Sequence, residues 1–461
     1  MHLSRARLNL PRPRKCLLYL ICVAIPASAG LAQLPAMPSA PPAISLDEAI
    51  ARAQANEPTF AAAVAANKNA ALDQAIAKAA LLPNAIYHNQ YVFTQGGAGI
   101  ITNPVKAKDP ALETTSAPRF IANNGVHEYV SQAAVTETIG PQQFNAVSKT
   151  SASLAVATAE LEIARRGLVA TVVGLYYAAS TGSRRVAVAQ RADDEAADLT
   201  KRTQQREDAR EVAHADVVKA QLQQQQRERD LADAKLNAEK ARLELGVLLF
   251  PDPRSPYTLA ASDAIPPVPG RADVEAAVAK RNPELQSALA SSHLADLNVT
   301  SAKLGYLPDL QLNYFYGIDA SQFALRNDLG NNNLGYAAIA TLDIPVWDWF
   351  TTRDKVRQSE INRQAAKVVL SNTQRKAIAD LEEIYAEAVA AHDQLDSLDR
   401  SVATAQESLR LTRLSYFAGE SPILEVVDAE NSFTAAEIAR EDGLVRYQTA
   451  LANLQMLTGT L

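Results

Sequence analysis

Aromatic residues make up only 6% of this 461-residue chain, too few for the thick core of a large globular domain. Cysteine is almost absent. Cys16 and Cys22 both fall within the segment 1–32, so a chain processed after that segment has no thiol for a disulfide or redox role. Beyond the N-terminus no apolar run reaches the ~18 residues that mark a transmembrane helix. The net charge of −6 is spread along the chain, and no basic patch recommends a nucleic-acid partner. His88, His127, His214, His293 and His392 are scattered without ligand spacing, so no metal site is expected. Gly96-Gly97-Ala98-Gly99 is not followed by a phosphate-binding helix and reads as loop. No nucleophile–base constellation emerges, and neither a cofactor nor an enzymatic activity is expected. After Ala32 only Met37 and Met456 remain, too few for a methionine-lined copper route.

What is present begins with an export signal. Arg5, Arg7, Arg12, Arg14 and Lys15 precede the short apolar run Cys16 to Ala24, and Ala27-Ser28-Ala29 or Gly30-Leu31-Ala32 offers a small-residue cleavage site. Residues 1–32 therefore read as a signal peptide. Ile21 precedes Cys22 where lipidation needs a small residue, so no lipid anchor is expected. A Pro- and Ala-rich linker follows at 33–45.

The rest is written twice. The step from Pro58 to Pro83 is the same as the step from Pro283 to Pro308. The first repeat spans 46–250, the second 271–461, and the Pro-rich stretch 251–270 joins them. Each repeat opens with a helix, the first capped by Ser45 with Asp47 and Glu48 in its first turn. Each then changes to strand composition, with strands predicted at about 84–93, 129–139, 309–317 and 335–344. In the third of these Leu310, Leu312, Tyr314 and Tyr316 share one face, with Gln311 and Asn313 on the other. Strands of ~10 residues can span a tilted barrel wall, and an isolated pair would be marginal in water.

Long helices with heptads follow. Val147, Leu154, Leu161, Leu168 and Leu175 recur at heptad spacing in the first half. Leu381/Ile384, Ala388/Ala391, Leu395/Leu398, Val402/Ala405 and Leu409/Thr412 make consecutive heptads in the second. A run from Phe144 to Glu207 predicts a rod roughly 95 Å long. Return helices begin near Asp216 and Glu425, at corresponding places in the two repeats.

Helix, strand, loop, strand, long helix, turn and return helix, twice over behind a signal peptide, resembles the TolC family of outer-membrane efflux proteins. The best-matching stretches are Leu46-Asp47-Glu48-Ala49-Ile50 to Pro58, Ile344-Pro345-Val346-Trp347-Asp348, and Tyr416-Phe417-Ala418-Gly419-Glu420 through Leu424-Glu425-Val426-Val427-Asp428-Ala429. The closing Ala452-Asn453-Leu454 to Leu457-Thr458-Gly459-Thr460-Leu461 matches the family's usual helix end.

The resemblance implies a mainly α fold with membrane β: a homotrimer whose three chains share a twelve-stranded outer-membrane β-barrel joined to a long periplasmic α-helical barrel. It implies a passive exit duct for efflux or type I secretion. The partners would be a periplasmic adaptor, an inner-membrane efflux pump or ABC exporter, and outer-membrane lipid. Its carried-over positions make Glu425 and Asp428, with Asp216 as first-half counterpart, a cation-attracting constriction of the periplasmic pore. A solvated acidic helix start is the plainer alternative. Tyr416, Gly419 and Glu420 would form the adaptor-contacting tip. Ser421 stands where the family often places a latching arginine. Gly419 suits a tight turn with positive φ, whereas its counterpart Arg210 does not. Trp347 and Trp349 are candidates for a membrane-interface belt, with packing at a bend as the alternative. The different-class alternative is a soluble periplasmic coiled-coil adaptor or scaffold without a pore.

Overall fold

The computed structural model describes residues 43–93, 127–260, 265–326 and 330–460. The signal sequence, most of the Pro/Ala-rich linker and the Gly96–Gly99 cluster lie outside them. In the described residues the duplication is metrically faithful. The paired helices have equal lengths: α1 (Leu46–Asn56) and α5 (Arg271–Arg281) have 11 residues, and α2 (Pro58–Ala79) and α6 (Pro283–Leu304) have 22. The long helices α3 (Pro141–Asp208) and α7 (Thr351–Ala418) have 68 residues, and the return helices α4 (His214–Leu249) and α8 (Ile423–Thr458) have 36. At 1.5 Å per residue the long pair run roughly 100 Å.

Local chemistry sets the boundaries. Ser45 accepts from the Glu48 amide at 3.3 Å and starts α1. Pro58 and Pro283 do not so much end a helix as start the next one. Both sit in the first turn, where a missing N–H costs nothing, behind the side-chain caps Glu57 and Asn282.

Strands β2 (Asn84–Phe93), β3 (His127–Ile139), β5 (Asp309–Ala320) and β6 (Leu334–Asp343) form one antiparallel sheet in the order β2-β3-β5-β6. The predicted strands agree to within a few residues, and β2 and β6 are left as open edges. Pairing Tyr91 with Tyr129, Val135 with Tyr314 and Tyr316 with Tyr336 puts residues of like character on one side. That face carries Tyr87, Tyr91, Tyr129, Tyr314, Tyr316 and Tyr336. The other carries most of the polar side chains, among them Gln90, Gln132, Thr136, Gln311, Asn313 and Thr341. Polar groups on the tyrosine face satisfy one another: Ser131 Oγ donates to Asn89 Oδ1 at 2.7 Å and lies 2.9 Å from the Tyr87 hydroxyl. At Gly317 a Cβ would strike the backbone of Ser131 and Gln132, so only glycine lets β5 press onto β3 there.

A small pairing escaped the sequence. Ala43–Ile44 (β1) and Thr258–Leu259 (β4) form a parallel two-stranded sheet that joins the N-terminal linker to the inter-repeat linker. Tyr176 clamps it, donating to the carbonyls of Ile44 (3.1 Å) and Ala260 (2.9 Å). Around it Ile44, Ala49, Val172, Tyr176, Leu245 and Leu249 form a core cluster. The second repeat has its own version of the clamp. Tyr385, the counterpart of Tyr176, donates to the carbonyl of Pro269, the counterpart of Ile44, at 3.4 Å.

The α3 heptad differs from expectation. Leu168 is buried, but Val147, Leu154, Leu161 and Leu175 are only half-buried. The deepest stripe runs two positions earlier, through Asn145, Ala152, Ala159, Arg166 and Val173. Ala152 and Ala159 on this line let neighbouring helices approach closely, Arg166 on it is paired with Glu162 and the Met456 carbonyl, and the larger leucines flank it. In α7 the expected Ala388, Ala391, Leu395 and Leu409 are buried, and Leu381, Ile384, Leu398, Val402, Ala405 and Thr412 are half-buried.

Candidate functional site

The two helical hairpins end side by side, and Leu199, Ala220, Tyr416, Ile423 and Val426 pack together between them. Each long helix stops in the same way. Residues Arg210 and Gly419 take left-handed backbones, φ 65° and 81°. The following amides, of Glu211 and Glu420, bond back to the carbonyls of Arg206 and Ser415 at 2.8 and 2.9 Å. The expectation that Arg210 would not make this turn is therefore corrected. The chain makes the turn without glycine, at the roughly 1–2 kcal/mol cost of a left-handed L-residue.

Tyr416 needs a second correction. It is 3% exposed, with its hydroxyl 3.3 Å from Thr203 Oγ1, so in this conformation its ring faces α3 rather than a partner at the tip. Arg206 of α3 donates to the Tyr416 carbonyl at 3.0 Å, and its guanidinium lies 5.2 Å from the ring centroid. Cationic Arg206 thus meets the carbonyl end of α7, where the helix dipole favours it. Nothing in the sequence pointed to Arg206, because its partner lies 210 positions away. Ser421 forms no fastening. Its hydroxyl oxygen is buried without a hydrogen bond. Gly419 and Glu420 are exposed at the extreme end.

The three candidate acids lie at this same end, in the first two turns of α4 and α8. Glu425 and Asp428 share the exposed face of α8, with Val426 and Ala429 turned inward. Asp216 is half-buried in the first turn of α4, and Glu425 occupies the equivalent turn of α8. Among the described residues none of the three has an ion-pair partner. Both features suit a pore acid and a dipole-favoured helix start alike.

Two turns above, charges tie the hairpins together. Arg413 of α7 reaches Glu195 of α3 at 2.7 Å and Glu430 of α8 at 2.8 Å. Burial pushes the Glu430 carboxyl up, and Arg413 offsets only part of this. Beside them Asn431 accepts from Gln223 (2.9 Å) and Arg227 (2.6 Å) of α4. This network was missed in the sequence because every member reads singly as a solvated polar or charged helix residue.

Trp347 and Trp349 lie at the other end of α7, after β6, and are 62% and 81% exposed. Trp347 stacks edge-on against Trp349 (5.7 Å) and Phe350 (5.2 Å). Trp349 and Phe350 both have left-handed backbones, φ 55° and 65°, which hold the aromatics outward at the junction. No group of three potential metal ligands occurs among the described residues, and no helix there is long and apolar enough to cross a membrane.

Residues 276–460 match the family described as outer membrane efflux protein. The outer membrane protein TolC of Escherichia coli (strain K12) is 23% identical over 190 residues, 40% of this chain and 38% of that protein. Outer membrane protein OprJ of Pseudomonas aeruginosa is 24% identical over 179 residues, 38% of this chain and 36% of that protein. The aligned stretch thus spans well under half of these relatives. Agreement in structure is broader. The Campylobacter jejuni CmeC outer membrane channel superposes with a TM-score of 0.75 at 15% identity, over 90% of this chain and 85% of that one. VceC of Vibrio cholerae gives 0.75 at 16% identity, over 90% and 96%.

Proposed function

We propose, starting from the chain's membership of the TolC family of outer-membrane efflux proteins, that it forms a passive exit duct through the outer membrane. The observation that carries this reading is the four-stranded sheet, with a tyrosine-rich face, a polar face and two unpaired edges. A bilayer tolerates no open sheet edge, because unpaired amides and carbonyls have no water there. Three copies pairing β6 to β2 close a twelve-stranded barrel, apolar side to lipid and polar side to the lumen. Apolar residues left exposed on the helices support the same assembly: Leu72 and Ile76 on α2, Leu222 on α4, and Val368, Val369 and Ile378 on α7. In a three-fold arrangement they cover one another and the helices form a periplasmic tube.

Trp347, Trp349 and Phe350 then sit where barrel meets tube, at the membrane interface. The tube narrows at the hairpin ends, where Glu425 and Asp428, with Asp216, each appear three times around the axis and attract cations. Exposed Gly419 and Glu420 meet a periplasmic adaptor, which couples the duct to an inner-membrane pump or exporter that supplies the energy. The Arg206 grip on Tyr416 holds the tip in the conformation seen here, and opening requires its release.

Fractionation and planar-bilayer recording test this reading. The full chain should appear in the outer membrane as a heat-modifiable oligomer and give discrete conductance steps. Recovery as a soluble monomer without conductance would contradict it. In a protein that conducts, E425A/D428A should weaken cation preference; an unchanged preference would remove the acidic constriction.

A further inference from the structure

The repeats match helix for helix, but not where strand gives way to long helix. In the first, the single residue Gly140 separates β3 from α3; in the second, residues 344–350 separate β6 from α7. That longer segment is Ile344-Pro345-Val346-Trp347-Asp348-Trp349-Phe350, and all of it except Asp348 is exposed. A contiguous apolar surface of this kind marks a contact with membrane or partner. It continues the tyrosine side of the sheet, since Leu342, on that side of β6, is also exposed.

The segment borders a notch of about 180 Å³, lined by Gly305 and Tyr306 from the end of α6 and by Pro345, Trp347, Phe350 and Arg353. A Cβ on Gly305 would touch Thr352, so the end of α6 and the start of α7 lie close together. Charge at the notch is of both signs. The Arg353 guanidinium lies 4.5 Å from the Phe350 ring centroid, and its Nε donates to Asp354 Oδ1 at 3.1 Å. Both side chains are more than half exposed, and among the described residues neither Nη group of Arg353 has a hydrogen-bond partner. Asp348, fixed by the Thr352 amide at 2.7 Å, adds a second carboxylate to the lining.

A guanidinium beside a carboxylate, next to exposed aromatic rings, is complementary to a zwitterion with an apolar tail. A purely anionic headgroup would satisfy Arg353 but bring no cation to Asp354. A quaternary ammonium has no N–H to donate to a carboxylate, whereas a primary ammonium has three. We infer that the notch binds one phospholipid with a primary-ammonium headgroup, its phosphate on Arg353, its ammonium on Asp354 and its glycerol region against Trp347 and Phe350. This rests on the duct reading above, which sets the junction at the membrane surface, and it adds a choice of headgroup to the aromatic belt. The junction of the first repeat has no such site, because no lysine or arginine follows Gly140 before Lys149.

Tryptophan emission tests this directly, since the chain's two tryptophans, Trp347 and Trp349, both lie in this segment. The full chain is reconstituted in phosphatidylcholine vesicles holding a rising fraction of lipid with brominated acyl chains, which quench the emitters they touch. The brominated lipid is phosphatidylethanolamine, phosphatidylglycerol or phosphatidylcholine. The ethanolamine lipid should reach half-maximal quenching at a severalfold lower fraction than the other two, as fits a pair of exposed charge contacts. R353Q/D354N should abolish that difference, while quenching by brominated phosphatidylcholine, which reports insertion, stays as it was. R353Q and D354N are also measured singly, each expected to remove part of the difference, so a double variant that fails to insert still leaves a decisive comparison. Equal curves for the three headgroups overturn the inference, as does a preference for phosphatidylglycerol or an ethanolamine preference that survives these substitutions. Absence of quenching by every lipid in the membrane-inserted chain overturns instead the placement of the junction in the duct reading.

Discussion

The two repeats have helices of identical length and yet are fastened differently. At the linker end the first repeat holds β1 and β4 with Tyr176, which is 1% exposed and donates to two carbonyls; the second has Tyr385 with one 3.4 Å bond. At the tip the second repeat turns on Gly419 and the first on Arg210, and the acids Glu425 and Asp428 face Asp216 and Lys219 at equivalent positions. Partway along α3, Glu162 binds Arg165 and Arg166, while the equivalent position in α7 is Ser371. Duplication therefore preserved the backbone, where length and register must match for neighbouring units to pack. The polar fastenings diverged, and several reach from one repeat into the other. Arg206 grips α7, Arg413 grips α3, and Arg166 donates to the Met456 carbonyl at the end of α8.

Substitutions at equivalent positions sharpen this contrast. The largest effect is expected at the tip, where Tyr416→Ala empties a buried aromatic site and should cost about 3 kcal/mol of local stability. Hydrogen exchange across 411–426 would report it, and Phe417→Ala, at an exposed position, should change little. Acid should act next, and on the first repeat. The Glu162 carboxyl is held down to about 2, chiefly by its hydrogen bond from Arg165 and then by Arg166. A depressed acid stabilises the fold fully above its unfolded value of 4.5, and that contribution is lost as pH falls through about 2. Acid-unfolding curves of Glu162→Gln should lack this component, while Ser371→Ala should retain it.

Smaller again is the clamp. Tyr176→Phe leaves the Ala260 carbonyl without its hydroxyl donor, while the Ile44 carbonyl keeps the Ala260 amide, and should cost about 1–2 kcal/mol, whereas Tyr385→Phe should fall within ~0.5 kcal/mol. Denaturant midpoints of the pair decide whether the clamps differ as the geometry says. Last are the turns. Arg210→Gly should stabilise by about 1 kcal/mol and Gly419→Ala destabilise by about as much, because both positions need a left-handed backbone. Equal and opposite shifts in thermal midpoint would establish that the turns are one geometry with two residues.

Much of the fold was legible because it rests on period and punctuation. Alternation marked β5, and proline spacing marked both the α1–α2 and α5–α6 breaks. The site was less so. Glu425, Asp428 and Asp216 were candidates through the family resemblance, and the fold sets them at one end of the hairpins, but Arg206, Arg413 and the β1–β4 pairing depend on residues far apart in the chain. Single-sequence periodicity carries no information about such pairs. Tyr416 was misjudged for a related reason: nearness to a turn says nothing about which way a ring points.

Assembly of the duct depends on the open edges β2 and β6 meeting between copies. Both native cysteines lie in the segment 1–32, read as a removable signal. His88→Cys on β2 combined with Ala337→Cys on β6, both on the polar face, therefore makes a clean cross-linking pair. Treating outer membranes with a short bifunctional maleimide should give dimers and trimers, with the ladder ending at three. A product that stays monomeric in the folded, membrane-inserted protein, or a ladder that runs beyond three, would contradict the account.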